Sequence, residues 1–360
     1  EDVKGSPIDE EDRIQNLKII GCPMIKDQLE VYEELESAKF GAFELPGLLS
    51  SNIIYPNPIS KQPNRRRTSS SGSSVNSNSN SNSSPLPNVS NDKRYSKAGF
   101  EEFFRQQKKG GKVSFSAKPG RDISFLDEKN IGAYSSKIST ILNNIKESNG
   151  IIFIYSQFIW GGVVPLALAL EYNGYSKLGG SILECETKHP PITKKTLNDV
   201  NYNPKYIIIS GDKDLSNKAY ENYLKIENEN KDGSRVQIII GSESAAEGLD
   251  FKYVREVHIL DPWYHLNKTE QIIGRGVRYC SHIELPLAHR NVMIHLYAAT
   301  RSKNPSHDKE TNDLKMYRIA ETKSRKTSDV EYILKQNAVD CNLNLEGNRF
   351  LQKDFDLTID

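Results

Sequence analysis

The sequence has 360 residues, a formal net charge of +1 at pH 7 and a hydrophobic fraction of 36%. Near-neutrality excludes global electrostatic steering towards nucleic acid, so any such binding must come from local patches. The four cysteines are far apart and form no CxxC pair, which argues against a zinc ribbon and a disulfide framework and is typical of a reducing compartment. Because no apolar run approaches the roughly 18–20 residues of a membrane helix and no signal peptide is apparent, we expect a soluble intracellular protein.

The first 60 residues predict a tail followed by a linker helix. Residues 1–16 are charged and carry no apolar stripe, whereas Leu17–Ile20 is apolar enough for a short strand. From Lys26 to about Lys39 the apolar residues lie near helical spacing, which predicts a helix. These apolar residues are Leu29, Tyr32 and Leu35.

The segment 61–95 differs in composition from the rest of the chain. Three arginines, Arg65 to Arg67, lead into an alternation of Ser and Asn with almost no apolar residues. Nothing there offsets the roughly 1–2 kcal/mol per residue that ordering a backbone costs, so we predict a disordered insertion. The arginines suit a nucleic-acid or localisation patch, although a solvated charge cluster is the simpler interpretation. The flanks, Asn52–Pro56 and Gly99–Phe104, are expected to pack on one core.

Residues 96–149 form a lead-in segment that contains an amphipathic helix. The range Ser136–Ser148 has apolar residues at the i, i+3, i+4 and i+7 positions of one helical face. They are Ile138, Ile141, Leu142 and Ile145.

Between residues 150 and 300 the sequence alternates between buried strands and helices. Predicted strands are Gly150–Tyr155, Tyr206–Ile209, Val236–Ile240, Val257–Leu260 and Val292–Tyr297, with helices over Val163–Tyr172 and about 216–226. This alternation predicts an α/β domain with a doubly wound, mostly parallel sheet flanked by helices.

Residues 301–360 predict a C-terminal helical extension that begins near Asn312. Within it, Ser328-x-x-Glu331 has the spacing of a further helix start.

Polar clusters follow the predicted strands, at the edge where doubly wound sheets bind ligands. Ser156-Gln157, Ser210-Gly211 and Gly241–Asp250 come directly after three of them. A strand end needs some polar residue, so the first two clusters are weak evidence alone. For Gly241–Asp250 the alternative is a generic Ser/Gly turn that opens a helix. In the last cluster Gly248 permits an unusual turn, and Asp250 can accept a hydrogen bond from a ribose hydroxyl or an arginine.

The most informative pattern is Gln271-x-x-Gly274-Arg275-x-x-Arg278, after a predicted strand. Spacings of four and three residues place Gln271, Arg275 and Arg278 on one face of a predicted helix. A solvated face with two ordinary arginines is the alternative. A glycine inside a helix costs about 1 kcal/mol relative to alanine, so Gly274 indicates close packing or close approach by a ligand. Two planar guanidiniums that point the same way suit phosphate charge.

This pattern resembles motif VI of superfamily 2 helicases, QxxGRxxR, in which arginine fingers reach ATP from the second of two RecA-like lobes. Gly241–Asp250 resembles motif V of the same helicases, and Tyr155–Phe158 resembles motif IV. Glu247 departs from the arginine found in DEAD-box members, which favours DNA over RNA. The Cys-Pro-Met run at residues 22–24 resembles the inter-lobe segment of Swi/Snf-like ATPases.

The resemblance implies a set of site residues. Catalytic roles fall to Arg275, Arg278 and Gln271. Cofactor-binding roles fall to Gly248, Asp250 and Gly274. Nucleic-acid contacts fall to Ser156, Gln157, Ser210, Gly211, Ser242, Glu243 and Ser244. No metal ligands are predicted within the chain. The cofactor implied is ATP with Mg²⁺, held mainly by a first lobe, and the implied partners are nucleic acid and an N-terminal RecA-like lobe of the same protein.

Residues 281–292 look most like the transcription-associated helicases of large DNA viruses, which would place the protein in a virus factory, a virion or the host cytoplasm. The chain contains no GxxxxGK[ST] sequence, and no DExx box follows a strand. Hydrolysis of ATP needs both, so we expect the chain to be the second half of an enzyme and inactive alone.

Two alternatives remain. One is a non-enzymatic, degenerate RecA-like subunit of a transcription complex. The other is a glycosyltransferase-like Rossmann half, which leaves the two arginines unexplained.

Overall fold

The computed structural model describes residues 17–37, 45–57, 94–185, 203–216, 218–243, 249–303 and 308–339. The predicted tail and nearly all of the predicted disordered insertion lie outside these ranges. Ten strands are described: β1 Leu17–Pro23, β2 Phe104–Lys109, β3 Lys112–Ala117, β4 Ile151–Tyr155, β5 Ser176–Lys177, β6 Leu183–Glu184, β7 Lys205–Ile209, β8 Ile238–Gly241, β9 Val254–Ile259 and β10 Met293–Thr300.

Nine α-helices are described in these ranges. They are α1 Lys26–Ser37, α2 Leu45–Asn52, α3 Ser96–Phe103, α4 Ser136–Glu147, α5 Val164–Tyr172, α6 Lys213–Ser216, α7 Ala219–Leu224, α8 Leu266–Gly276 and α9 Asn312–Gln336. A π-helical turn, Ile159–Val163, leads into α5.

A seven-stranded sheet in the order β1-β10-β9-β4-β8-β7-β5 forms the centre of the protein. Every described pairing in it is parallel. All five residues of β4 and all four of β8 are buried, because apolar clusters cover both faces of the sheet. The predicted RecA-like, doubly wound α/β fold is therefore confirmed.

The segment before the insertion contributes an edge strand to this sheet. β1 pairs with β10 over seven residues, from Leu17 opposite Ile294 to Pro23 opposite Thr300. The chain then enters α1, where the Tyr32 hydroxyl accepts a hydrogen bond from the backbone N–H of Asn312 at 2.9 Å. α1 is thereby fixed to the beginning of α9.

A second, three-stranded sheet has the order β2-β3-β6 and carries an aromatic core. Tyr55 stacks on Phe103 with ring centroids 6.1 Å apart, and Phe100 stacks on Phe104 at 4.9 Å. The two flanks of the insertion thus pack on one core, as predicted.

Two helix predictions need correction. The predicted helix over about 216–226 is divided into α6 and α7, because Lys218 takes a left-handed φ of 57°. Residues 328–331 do not begin a helix, since α9 runs through them without interruption. The helix begins instead at the Thr311 cap, whose hydroxyl accepts from the N–H of Leu314. No helix in the described ranges is long and apolar enough to cross a bilayer.

Candidate functional site

Helix α8 lies directly on β9 because its last residue is a glycine. A Cβ on Gly276 would lie 2.7 Å from Val257 Cγ2 and 3.0 Å from Val254 Cγ1. Ile272 and Thr269 complete the buried side of this helix. Gly276 is therefore the residue that allows close helix–sheet packing.

Gly274 has the opposite surroundings. A Cβ on it would meet no described atom within 4 Å, so the residue faces open space. The sequence predicted either close packing or close approach at this position. Among the described residues, no packing contact accounts for this glycine.

The two arginines of the motif converge on one carboxylate. Arg278 Nη1 contacts Asp250 Oδ1, and Arg275 Nη1 lies 3.8 Å from the same oxygen. Arg275 also donates to the carbonyl oxygen of Leu249 at 3.2 Å. One prediction is wrong in detail: α8 ends at Gly276, so Arg278 lies in the following turn and not on the helix face.

The cluster of Asp250, Arg275 and Arg278 is accessible to solvent. The Arg278 and Asp250 side chains are 50% and 53% exposed, and Arg275 is 21% exposed. Gln271 is exposed on the same helix. An exposed ion pair contributes only about 0–1 kcal/mol, so an incoming anion can compete with Asp250 for the guanidiniums. The geometry of a guanidinium suits a phosphate as well as a carboxylate.

Asp261 is buried and organises the end of β4. Ser156 Oγ and the backbone N–H of Gln157 each donate to Asp261 Oδ2 at 2.7 Å. Asn52 Nδ2 donates to Asp261 Oδ1. Burial raises the pKa of this carboxyl group, against the hydrogen bonds and the nearby Lys137. Because Ser156 is fully buried, its hydroxyl positions the loop, and Gln157 is the residue at this strand end that solvent reaches.

At the ends of β7 and β8, too, one residue is buried and the next is exposed. Ser210 and Ser242 are buried, and Ser242 donates its N–H to Ile209 O at 2.9 Å. Gly211 and Glu243 are exposed, and Glu243 pairs with Lys268 at 3.2 Å. These residues follow β4, β7 and β8, which are neighbours in the sheet, so they share one edge. Ser244 and Gly248 lie outside the described residues.

A buried ion pair behind this edge was not predicted. Lys137 Nζ lies 2.8 Å from Asp313 Oδ2 and donates to Leu260 O at 3.0 Å, and both side chains are fully buried. The pair connects α4 to α9 and to the residue before Asp261. A lysine at the start of an amphipathic helix gives no signal of such burial. An Asp directly after a buried strand, as at Asp261, is a signal that could have been used.

Comparison with known proteins places this geometry in a family. Residues 179–280 match the helicase conserved C-terminal domain. Over this range the chain contains a helicase C-terminal domain, and it is similar to the C-terminal lobe of superfamily 2 helicases and ATPases. The domain match includes β7, β8, β9 and α8 and ends just beyond Arg278.

Similar proteins come from large DNA viruses. The chain is 29% identical over 276 residues to a putative helicase, 087L, of Invertebrate iridescent virus 3, which covers 75% of this chain and 26% of the relative. It is 30% identical over 265 residues to the putative ATP-dependent RNA helicase R563 of Acanthamoeba polyphaga mimivirus, covering 72% of this chain and 41% of the relative. A termination factor NPH-I homolog of African swine fever virus is 29% identical and covers 59% of this chain and 34% of the relative.

The chain therefore spans about a quarter to two-fifths of the length of these viral relatives. Among solved structures, the C-terminal part of the Fun30 ATPase domain aligns with a TM-score of 0.33 and 16% identity, over 52% of this chain and 45% of that chain.

Proposed function

We propose that this chain is the second lobe of an ATP-dependent nucleic-acid helicase or translocase, and that it acts with a first RecA-like lobe of the same protein. The observation that carries the proposal is the convergence of Arg275 and Arg278 on the exposed Asp250, beside an unobstructed Gly274. Support also comes from the viral relatives, which are named helicases and a termination factor homolog.

In this proposal the accessible cluster faces the nucleotide. Arg275 and Arg278 stabilise negative charge that develops at the phosphates, and Gln271 orients the nucleotide. Asp250, with Gly248, borders the ribose and keeps the two guanidiniums paired until the lobes close. Gly274 allows close approach because it has no Cβ. ATP with Mg²⁺, held mainly by the first lobe, supplies the phosphoryl group.

The strand-end residues have two roles at the nucleic-acid backbone: the exposed ones contact it, and the buried ones position the loops. Nucleic acid can reach Gln157, Gly211 and Glu243 directly. Because the carboxylate of Glu243 repels a phosphate, we assign the phosphate contact to the backbone N–H of this residue. The buried Ser156, Ser210 and Ser242 shape these loops, and Ser244 is proposed as a further contact to the nucleic acid. The preference for DNA over RNA stays a prediction without support from the relatives, because R563 is named an RNA helicase. Titration of the protein with matched DNA and RNA strands decides it.

The experiment that tests the proposal removes the guanidinium of Arg278. In the full-length protein, Arg278→Ala should lower nucleic-acid-stimulated ATPase activity by about 10³-fold or more, the scale of an arginine finger. The matched control is Arg235→Ala, which also removes an exposed arginine paired with a carboxylate, Glu229, but lies before β8 at the other end of the sheet.

Near-normal turnover in Arg278→Ala, equal to that in Arg235→Ala, would contradict the proposal. It would favour the alternative of a degenerate lobe that serves as a non-enzymatic subunit of a transcription complex.

A further inference from the structure

Three potential metal ligands meet on the face of the sheet opposite α8. Glu256 and His258 are two residues apart on β9, so they point to the same face. His295 on β10 lies directly opposite His258 in the strand register. The face that they share packs against α4, since Asn144 of that helix donates to Tyr297 of β10 at 2.9 Å.

The distances between these side chains match those of a coordination sphere. His258 Nε2 lies 3.0 Å from Glu256 Oε2, and His295 Nε2 lies 3.4 Å from the same oxygen. The three ligand atoms all lie within 4.8 Å of one another. Ligands held at about 2.0–2.1 Å from a tetrahedral Zn²⁺ are about 3.3 Å apart, so little movement is needed to bind one.

One nitrogen of the cluster has only a long contact. Among the described residues, the buried His295 Nε2 makes no hydrogen bond of good geometry, and its contact with Glu256 Oε2 is 3.4 Å long. A buried polar atom with only a long contact is incompletely satisfied, and an ion between the three side chains would satisfy it. The Glu256 and His295 side chains remain 11% and 14% exposed, which provides an opening for an ion, whereas His258 is fully buried.

The surroundings supply an outer shell. His258 Nδ1 lies 2.7 Å from the Tyr297 hydroxyl, which itself accepts from Asn144 Nδ2. A metal-bound imidazole uses its second nitrogen to donate to such an oxygen, and this contact fixes the tautomer and the ring orientation. In this structure His258 Nε2 contacts Glu256 Oε2 at 3.0 Å, and an ion placed between the two atoms would take over that contact while Nδ1 donates to the Tyr297 oxygen.

We propose that Glu256, His258 and His295 bind a divalent transition metal, with Zn²⁺ as the preferred ion. Two imidazoles and one carboxylate form a donor set that suits Zn²⁺. Bound there, the ion fastens β9 to β10 behind α8 and serves the stability of the lobe. The site is separate from the nucleotide cluster, and the proposal differs from the sequence-based prediction that the chain contains no metal ligands.

The test uses the full chain, stripped of metal with a chelator and then titrated with Zn²⁺ in a calorimeter and with Co²⁺ in a spectrophotometer. We expect one ion per chain, a melting temperature that rises with free Zn²⁺, and a tetrahedral Co²⁺ spectrum without a thiolate band. His295→Gln and Glu256→Gln should each weaken Zn²⁺ binding by more than about 100-fold, because loss of a ligand exceeds the effect of losing an outer-shell partner.

Two controls separate this site from others. His289→Gln replaces an exposed histidine, and Cys280→Ser removes an exposed thiol close to His282; both should bind Zn²⁺ as the unmodified chain does. Absence of stoichiometric Zn²⁺ in the unmodified chain would overturn the proposal and leave a metal-free hydrogen-bonded cluster. A thiolate band in the Co²⁺ spectrum, or loss of binding in Cys280→Ser, would also overturn it. Since the Co²⁺ spectrum needs no variant, misfolding of a variant does not affect that result.

Discussion

At the scale of single residues, two glycines of one helix have opposite surroundings. Gly276 packs against the side chains of Val254 and Val257, whereas Gly274 faces open space. A glycine costs a helix about 1 kcal/mol relative to alanine, and no contact among the described residues offsets this cost at Gly274. In the proposed function, the nucleotide and the first lobe are what approach Gly274.

Substitution of each glycine by alanine separates the two roles. Gly274→Ala should raise the free energy of unfolding of the chain by up to about 1 kcal/mol, because alanine is the better helix former. Gly276→Ala should lower it by about 1–3 kcal/mol, because the new Cβ meets Val257. Urea unfolding measures both changes.

Gly274→Ala also tests the function proposed for this position. In the full-length protein, Gly274→Ala should lower the ATPase rate although it stabilises the lobe. An unchanged rate would show that nothing approaches Gly274 closely, and the proposed placement of the nucleotide would then fail.

His282 gives a pH dependence at this scale. It is buried in the turn after the arginine motif, in contact with Ser281 Oγ and Val254 O, and burial lowers its pKa below the ordinary value of 6.5. The unfolded chain therefore takes up a proton near pH 6.5, whereas the folded chain does so only at lower pH. The contribution of His282 to stability is complete above pH 6.5 and decreases as the pH falls through that value.

The free energy of unfolding should thus decrease between pH 7.5 and pH 5.5, and the decrease should be smaller in His282→Gln. Urea titrations at both pH values measure it, with His289→Gln, an exposed histidine in the same segment, as the control. Equal pH dependence in His282→Gln and the unmodified chain would refute this assignment.

At the scale of secondary-structure elements, buried charges join parts of the chain that are far apart in sequence. The Lys137–Asp313 pair links α4 to α9, and Asp261 links the end of β9 to α2 and to the loop after β4. The loops of the proposed nucleic-acid edge are therefore held in part by contacts with helices distant in sequence.

Removal of one charge of the Lys137–Asp313 pair should be costly. Lys137→Met leaves Asp313 buried without its partner and should lower the free energy of unfolding by about 3–5 kcal/mol. The double variant Lys137→Met/Asp313→Leu should recover most of this loss, because neither charge then remains buried. If the double variant is as unstable as Lys137→Met, the two side chains stabilise the fold by more than neutralising each other's buried charge. Chemical denaturation of the three proteins makes the comparison.

At the scale of the whole molecule, the parts that could be predicted from sequence are those fixed by local patterns. The apolar runs of β4 and β7 indicate a parallel sheet, and strand ends followed by Ser, Gly and Gln indicate the binding edge. The burial of Ser156 and the early end of α8 before Arg278 depend on tertiary contacts that no local pattern encodes. The same limit applies to the metal cluster, because His258 and His295 are 37 positions apart and meet only through the β9–β10 register.

The central claim is that this lobe supplies charge stabilisation to a nucleotide that another lobe holds. The most direct measurement is the steady-state kinetics of ATP hydrolysis by full-length Arg275→Ala and Arg278→Ala proteins with saturating nucleic acid. We predict that kcat falls steeply while KM for ATP changes little, because the lost interaction forms only in the transition state. A raised KM with unchanged kcat in both variants would contradict the claim.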